Sequence, residues 1–288
     1  MMKQAITLLS LTLVMCTQKS PAQKKEFTEV IKKELELDNP SKSEMIIKNV
    51  FGSISVEGYE GSTVFIEVKR SIHAKTLENL ELGKSELQVK IVQGPDRILI
   101  RPDAPYIEFD DEKLKYRWCN NSYELTYEHN LNITVKVPKT MLLDVSTVND
   151  GEIHVKNTKS NYLTASNING GITLTQITGK TKVNCINGPV TISYADNPKE
   201  PSEYYSLNGD INISYQEALS ANITFKSMNG EMFTDFDINK QYMLTNKLPS
   251  DSGKARYKFE AKPVVQIGDG SVDFDFETLN GNVYIKKI

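Results

Sequence analysis

The sequence predicts an all-β, single-domain protein whose chain winds as a β-solenoid, similar to a parallel β-helix. Three observations predict it: a glycine turn, usually Asn-Gly, recurs along the chain, an alternating strand follows each copy, and most successive copies lie about 18–21 residues apart. Two spacings are larger: 99 residues separate Gly52 from Gly151, and the long gap of 51 residues separates Gly230 from Gly281. The turn glycines are Gly52, Gly151, Gly170, Gly188, Gly209, Gly230 and Gly281.

Each turn is flanked by two strands. Apolar residues stand two and four positions after the glycine, as Ile153 and Val155 do after Gly151, and a polar residue separates them. This alternation predicts a strand with one buried face. Asn and Gly both tolerate left-handed backbone, which favours a tight turn. In the strand before the turn, one column carries mostly small, polar or thiol side chains: Val148, Asn167, Cys185, Ser206, Ser227 and Thr278.

An antiparallel β-sandwich is the alternative fold, because Asn-Gly between two strands also makes a two-residue hairpin. The repeated columns favour the solenoid, since stacked coils about 4.8 Å apart bring like positions into contact. At about 20 residues per coil we expect roughly 13 coils, with roughly two or three of them in the long gap. The stretch Ser71 to Gly83 is expected to hold a short helical excursion.

The N-terminus predicts export. Residues 1–22 read as a signal peptide, since the apolar run Ala5–Met15 is too short to span a membrane and small residues follow it. Cys16 directly follows the run, so a lipid anchor there is the alternative. Residues 23–44 form a polar leader or N-terminal cap, and 45–288 form the solenoid. No later segment is apolar enough to span a bilayer, and we expect the periplasm, outer membrane, cell surface or medium.

Composition excludes several functions. The chain has 34 Lys and Arg against 37 Asp and Glu, so it offers no basic field for nucleic acid. It has 3 His and no hydrolase, metalloprotease, phosphate-loop or dinucleotide motif. We therefore predict no cofactor, no metal and no enzyme activity. Cys119 and Cys185 form either one disulfide of an exported protein or two separate thiols, with Cys185 buried.

An insertion at about residues 101–130 interrupts the repeat with aromatic and acidic residues. Such a loop is typical of a protein or glycan contact, although its rings can equally fold onto the side of the solenoid. A second aromatic column, formed by Tyr194, Tyr215 and Phe236, is either an outer stacking platform or a ladder inside the core. The candidate contact residues of the insertion are Tyr106, Phe109, Tyr116, Trp118 and Tyr123.

Catalysis on a polysaccharide is the alternative function. Exported β-solenoids often carry acid/base chemistry on one face, and paired carboxylates are the groups that glycosidases use. Asp210 and Glu231 occupy the same position in successive copies, so we expect them to be neighbours, about 5 Å apart at the backbone. No Lys or Arg column accompanies them, and exposed acids often serve only solubility.

Several segments carry a family resemblance. They are Phe51-Gly52-Ser53-Ile54-Ser55-Val56-Glu57-Gly58-Tyr59, Val135-Lys136-Val137-Pro138-Lys139, the Asn-Gly coils, Phe225-Lys226-Ser227-Met228-Asn229-Gly230 and Leu279-Asn280-Gly281-Asn282-Val283-Tyr284-Ile285. With them, residues 45–288 resemble the bacterial putative-adhesin family, a β-strand repeat domain of unknown function (number 4097). The resemblance implies an exported β-solenoid at the envelope and supplies no catalytic residue. The predicted function is a non-catalytic, adhesin-like binding or structural module whose partner is an envelope protein or glycan.

Overall fold

The computed structural model describes residues 24–117, 123–248 and 256–288, with the side chains of 244–262 left aside. The predictions for the signal peptide, Cys16, Trp118 and Cys119 lie outside this part of the chain. Among the described residues, no helix has the length and apolar character needed to cross a membrane.

The regular secondary structure of the described residues consists of β-strands, one α-helix and one short 3-10 turn (Pro40–Lys42). The elements are β1 (Lys25–Glu36), β2 (Glu44–Lys48), β3 (Ile54–Tyr59), β4 (Thr63–Ala74), α1 (Leu77–Glu86), β5 (Gln88–Gln93), β6 (Arg97–Asp103), β7 (Glu108–Asp110), β8 (Lys115–Arg117), β9 (Tyr127–Pro138), β10 (Leu142–Thr147), β11 (Ile153–Lys156), β12 (Tyr162–Asn169), β13 (Ile172–Ile177), β14 (Lys180–Asn187), β15 (Val190–Tyr194), β16 (Ser202–Ser206), β17 (Ile211–Tyr215), β18 (Ala221–Lys226), β19 (Met232–Thr234), β20 (Lys240–Leu248), β21 (Arg256–Ile267), β22 (Asp273–Thr278) and β23 (Val283–Lys287).

Two long sheets form the body of the protein. The first sheet has ten strands in the order β1-β4-β9-β3-β11-β13-β15-β17-β23-β19. The second sheet has eleven, in the order β20-β21-β18-β22-β16-β14-β12-β10-β2-β6-β5. From β9 to β19 and from β6 to β18 every neighbouring pair is parallel. Each layer of the stack therefore gives one strand to each sheet.

The predicted β-solenoid is confirmed by the register. Ile153, Ile172, Val190, Ile211 and Val283 lie side by side on consecutive parallel strands of the first sheet, and all are buried. The two strands that flank each Asn-Gly turn lie in different sheets, so these turns are not the two-residue hairpins of the sandwich alternative.

The layers do not follow chain order at either end, which corrects the expected coil count. The closing layer β22/β23 lies between β16/β17 and β18/β19, and β6/β9 lies outside β2/β3. The long gap after Gly230 holds the antiparallel hairpin β20–β21 rather than further coils. Apart from β1 and β4, the first sheet has eight strands, and each belongs to one layer. The described chain therefore forms eight layers, and the estimate of about 13 coils is wrong.

The recurring glycines are needed because the layers approach closely. A Cβ on Gly188 would overlap the carbonyl oxygen of Gly170, and one on Gly209 would overlap that of Gly188. Of the seven turn glycines, Gly52 alone has a left-handed φ, 114°. For the other six turn glycines, the expectation that left-handed backbone requires glycine is therefore wrong. Glycine is required there because a Cβ would overlap the backbone of the adjacent layer.

Asparagine side chains stack beside these glycines. Each amide Nδ2 donates to the Oδ1 of the asparagine in an adjacent layer, at 2.7–2.9 Å. One amide can donate to one neighbour and accept from another, so the row continues without an orphaned group. In order along the stack, the members of this Asn ladder are Asn149, Asn169, Asn187, Asn208, Asn280 and Asn229.

The small polar column before the turn differs from the prediction in its first member. Asp150, at φ 55°, is one extra residue between Asn149 and Gly151. Because of this insertion Thr147, not Val148, pairs with Asn167. Thr147 Oγ1 donates to a glycine carbonyl oxygen at 2.8 Å, and the column thereby satisfies backbone groups that would otherwise be orphaned inside.

The aromatic column of Tyr194, Tyr215 and Phe236 lies inside the core, so of the two interpretations the internal ladder is correct and the outer stacking platform is wrong. The rings of Tyr194 and Tyr215 are fully buried and stack with centroids 5.2 Å apart. Phe274, from the intercalated layer, stacks on Tyr215 at 5.2 Å, and Phe236 is 7% exposed. The hydroxyls of Tyr194 and Tyr215 are both hydrogen-bonded inside the core, to the hydroxyl of Tyr204.

Cys185 is a buried free thiol. Its Sγ contacts the carbonyl oxygens of Gly170 and Gly188, each at 3.3 Å. Burial raises the pKa of this thiol to about 11, so it remains protonated and inert at neutral pH.

Candidate functional site

The insertion folds onto the outer face of the second sheet. Its hairpin β7–β8 packs Phe109 against Tyr116, with ring centroids 5.0 Å apart. Tyr116 Oη donates to the backbone oxygen of Lys48 at 2.6 Å. Ile46 and Leu99 alternate with core residues on their strands, yet both are buried. The hairpin therefore covers apolar side chains of this face, and its own rings are used in that packing.

A network of hydrogen-bonded side chains continues from the insertion toward α1. Tyr123 and Tyr127 donate to the same Glu86 oxygen, at 2.5 and 3.0 Å. Tyr106 Oη lies 3.4 Å from Tyr127 Oη and 3.3 Å from His129 Nδ1. With Tyr127 donating to Glu86, the proton order that satisfies each contact has His129 donating to Tyr106 and Tyr106 donating to Tyr127.

Burial shifts the titration of this network. Desolvation lowers the pKa of His129 to about 4, so its ring is neutral at physiological pH. Desolvation raises the pKa of Tyr106 to about 12, and the hydrogen bond to Glu86 raises that of Tyr123 to about 12. At neutral pH the hydroxyls of Tyr106 and Tyr123 therefore remain protonated. Through its hydrogen bonds the network ties the insertion to α1 and β9.

The candidate contact residues of the insertion divide by exposure. Tyr106, Phe109 and Tyr116 are partly buried against the solenoid, whereas Tyr123 is 37% exposed. Trp118 lies outside the described residues. A contact role for these five side chains remains a prediction, and Tyr123 is the described one whose ring a partner can reach most easily.

The predicted neighbours Asp210 and Glu231 are not neighbours. The intercalated layer places Asn282 between them: its N–H donates to Asp210 Oδ1 at 2.8 Å, and its Oδ1 accepts from the N–H of Glu231 at 2.9 Å. Two strand spacings therefore separate the acidic residues, about 10 Å. The expected distance of about 5 Å is wrong because sequence order was taken for spatial order. In the described part of the chain, no three His, Cys, Asp or Glu residues are grouped as metal ligands would be.

One exposed feature was missed by the sequence reasoning. The residue before each ladder asparagine is aliphatic or Met, points outward from the second sheet and lies beside its counterpart in the next layer. Ile168 is 40% and Met228 75% exposed, and the other members are partly exposed. Its signal in the sequence is the aliphatic residue or Met that directly precedes each ladder asparagine. In spatial order, this apolar row is Val148, Ile168, Ile186, Leu207, Leu279 and Met228.

The apolar row has polar neighbours on both sides. The Asn ladder runs along one side. Two residues earlier on each strand, the outward positions are mostly polar, as with Ser166, Asn184 and the ion pair of Lys226 with Glu277 at 2.6 Å. At about 4.8 Å per layer the row is about 24 Å long. It is a continuous apolar strip whose backbone is held by parallel strands.

The family of the chain is shown by sequence. Residues 17–263 match the family model described as Toastrack DUF4097, and no curated protein matches the chain. Three solved structures that match are a putative cell adhesion protein from Clostridium sporogenes (9% identity, 92% of this chain, 100% of that chain, TM-score 0.38), a putative lipid binding protein from Parabacteroides distasonis (12%, 90%, 96%, 0.32) and a putative adhesin from Bacteroides fragilis (8%, 90%, 97%, 0.29).

The family model begins further toward the N-terminus than the resemblance predicted from the sequence, and it ends before β22 and β23, the last two strands in chain order. It nevertheless covers most of the 288 residues and includes the first five of the six Asn-Gly or Asp-Gly coils that end at Gly281. The chain belongs to the Toastrack DUF4097 family.

Proposed function

We propose that the protein is an exported, non-catalytic binding module of the bacterial envelope, adhesin-like in role, which contacts its partner through the apolar row. The observation that carries this proposal is the row itself: one outward column is aliphatic or Met in six successive layers, while the columns on both sides of it are mostly polar. A contiguous apolar strip with a polar border is typical of an interaction surface.

The scaffold makes this strip effective for binding. Its backbone is fixed by parallel strands on both sides, and the Asn ladder ties each turn to the next. A partner therefore has little backbone to order on association, which lowers the entropic cost of binding. Each Å² of apolar surface removed from water contributes about 25 cal/mol.

The chemistry of the row favours a protein partner over a glycan. Its side chains are aliphatic or Met and offer neither a hydrogen-bonding group nor an aromatic ring on which a sugar would stack. A complementary apolar strip on an envelope protein fits it best. Tyr123 of the insertion is a second, separate contact candidate, since its ring is partly exposed.

The alternative, a carbohydrate-active enzyme, has lost its supporting observation. The acidic pair on which it depended is divided by Asn282. Cleavage of any polysaccharide by the parent protein that disappears in the double variant Asp210→Asn and Glu231→Gln would restore that alternative and contradict the non-catalytic one.

The binding proposal is tested with charged substitutions in the row. We expect saturable binding of the protein to isolated envelopes of a bacterium that carries it, weakened at least tenfold by Ile168→Asp or Leu207→Asp, because a charge in an apolar contact must be desolvated. Ser166→Asp is the matched control: it adds the same charge on the strand of Ile168, two residues away, and should change affinity less than twofold.

Two results would contradict the proposal. One is the absence of saturable binding by the parent protein. The other is equal loss in Ile168→Asp and Ser166→Asp. A loss confined to Tyr123→Ala would move the contact from the apolar row to the insertion. Binding to a glycan array, together with envelope binding that survives protease treatment, would replace the protein partner by a glycan.

A further inference from the structure

The two sheets end at different levels at the C-terminal end of the stack. The last common layer is β18/β19. Beyond it the second sheet continues with β21 and then β20, whereas β19 is the final strand of the first sheet. Two strand spacings make an overhang of about 10 Å. We call this feature, formed by β19 and the overhanging hairpin β20–β21, the C-terminal step.

Within the described residues, the C-terminal step has backbone groups that face no further strand and apolar side chains that are only partly covered. Phe233 pairs with Tyr284 of β23, so by the alternation of a strand the backbone groups of Met232 and Thr234 point away from β23. Met243 lies opposite Pro263, on the same face as Val265, which pairs with core residue Ile223.

On the core-facing side of the overhang, Val265 of β21 is buried, at 6% exposure, whereas Met243 of β20 is 47% exposed. Among the described residues, the cover of this side therefore ends at β20. Phe233 is 45% exposed; one face of its ring stacks on Tyr284, at a centroid distance of 5.2 Å, and it ends that stack. Ile238, in the connection from β19 to β20, is 52% exposed.

Charge also differs across the C-terminal step. The short side is acidic: Glu231, Asp235 and Asp237 are all exposed next to β19. The overhang begins with exposed Lys240, and Lys and Arg outnumber Asp and Glu in the sequence of the segment 240–267. The short side of one molecule is therefore complementary in charge to the overhang of another.

We propose that the C-terminal step is a homodimer interface, in which the overhang of each protomer fills the step of its partner. A rotation of 180° about an axis parallel to the strands exchanges the two sheets, so the long sheet of one protomer continues the short sheet of the other. In this isologous arrangement β19 pairs with the partner's β20, and β20 pairs with the partner's β19.

This occupant satisfies every feature of the C-terminal step at once. Strand addition bonds the outward backbone groups of β19. The partner's overhang covers Met243 and Ile238 and lies against the free face of Phe233. The acidic residues beside β19 meet the Lys-rich overhang twice, once on each side of the axis. An edge strand left open is an aggregation hazard, and a closed twofold assembly removes it.

The test is sedimentation of the exported chain over a thousandfold concentration range, with edge variants. We expect the mass to rise from one chain to two, and Thr234→Pro to raise the dimer dissociation constant at least tenfold. Proline removes an N–H that points away from β23, so the β19–β23 pairing remains. The matched control Thr234→Ala also loses the Oγ1 that accepts from Phe236 N–H, but it keeps the outward N–H and should still dimerise.

A charge pair provides a second arm that does not touch the backbone. Lys240→Glu should weaken dimerisation at least fivefold, and adding Asp237→Lys should restore at least half of that loss. A single-chain mass at every concentration overturns the proposal. Equal dissociation constants for Thr234→Pro and Thr234→Ala overturn it as well, since the dimer would then form elsewhere.

Discussion

The two ends of the stack differ in what covers them. At the N-terminal end, antiparallel strands β4 and β1 extend the first sheet, β5 extends the second, and α1 packs against β4, β1 and β9. Leu80 and Leu87 are buried there, at 7% and 0% exposure. At the C-terminal end no strand of the described residues lies beyond β19 in the first sheet, and Phe233 of β19 and Met243 of β20 are nearly half exposed.

The difference between the two ends indicates that one contributes mainly to the stability of the fold and the other to association with another molecule. A solenoid core is apolar along its whole length, so each end must be covered by the chain or by another molecule. The N-terminal end is closed by the chain's own apolar residues, which makes it part of the folded core. The C-terminal end leaves the same kind of surface open, which makes it the end where association is expected.

The largest effect is expected from a methyl group in the glycine column. Gly188→Ala should lower the free energy of unfolding by about 3 kcal/mol or more, because the Cβ would overlap the backbone of Gly170 between two fixed layers. Gly230→Ala meets Gly281 in the same way but lies in the last layer, beside the open end, and should cost less. Denaturant unfolding measures both.

A control for this pair is Gly94→Ala. Its Cβ would have no neighbour nearer than 3.5 Å, so its stability should change by less than about 0.5 kcal/mol. If Gly230→Ala destabilised the protein as much as Gly188→Ala, the open end would be as rigid as the centre, and the comparison between the ends would fail.

The next effect compares a covered and an uncovered apolar side chain. Leu80→Ala, at the closed end, should cost about 2–3 kcal/mol of unfolding free energy, since it leaves a cavity under α1. Met243→Ala, at the open end, should change the dilute protein by less than about 0.5 kcal/mol. Equal losses in thermal or denaturant unfolding would mean that Met243 is covered within a single chain.

The smallest effect is a pH dependence that belongs to the closed end. Burial lowers the pKa of His129 from its usual 6.5 to about 4, so the unfolded chain binds a proton between these values and the folded chain does not. Stability is therefore full above pH 6.5 and falls as the pH drops toward 4. Between pH 7 and 5.5 the loss is about 1 kcal/mol.

The variant His129→Gln has no titrating ring and should remove that part of the pH dependence. Chemical denaturation of parent and variant at the two pH values measures the difference. The same slope in both proteins would show that another group carries the acid sensitivity and that His129 is not held neutral by its burial.

The sequence was sufficient for the fold because each layer repeats the same requirements. The columns of Ile153 and of Gly151 predict stacked parallel strands without any knowledge of distance. The order of layers was not predictable in the same way, because the columns alone allow β22/β23 to lie either between β16/β17 and β18/β19 or beyond β18/β19. The choice depends on long-range packing, including Phe274 against Tyr215.

The contact surfaces were less predictable than the fold. A charged or aromatic insertion attracts notice in a sequence, but Phe109 and Tyr116 are used to cover the apolar face beneath them. The apolar row is visible in the sequence, one position before each ladder asparagine, but a partly exposed aliphatic column resembles the buried columns of the same strands. The C-terminal step was not visible, since it depends on which strand ends each sheet.

Hydrogen exchange of individual backbone amides tests the asymmetry between covered and open strands most directly. We predict that the amides of Met232 and Thr234, on β19, exchange fast in dilute protein and at least tenfold more slowly in concentrated protein. Ile285, on the intercalated strand β23, should be protected at both concentrations. Fast exchange at Ile285, or rates at Met232 and Thr234 that do not change with concentration, would contradict the account.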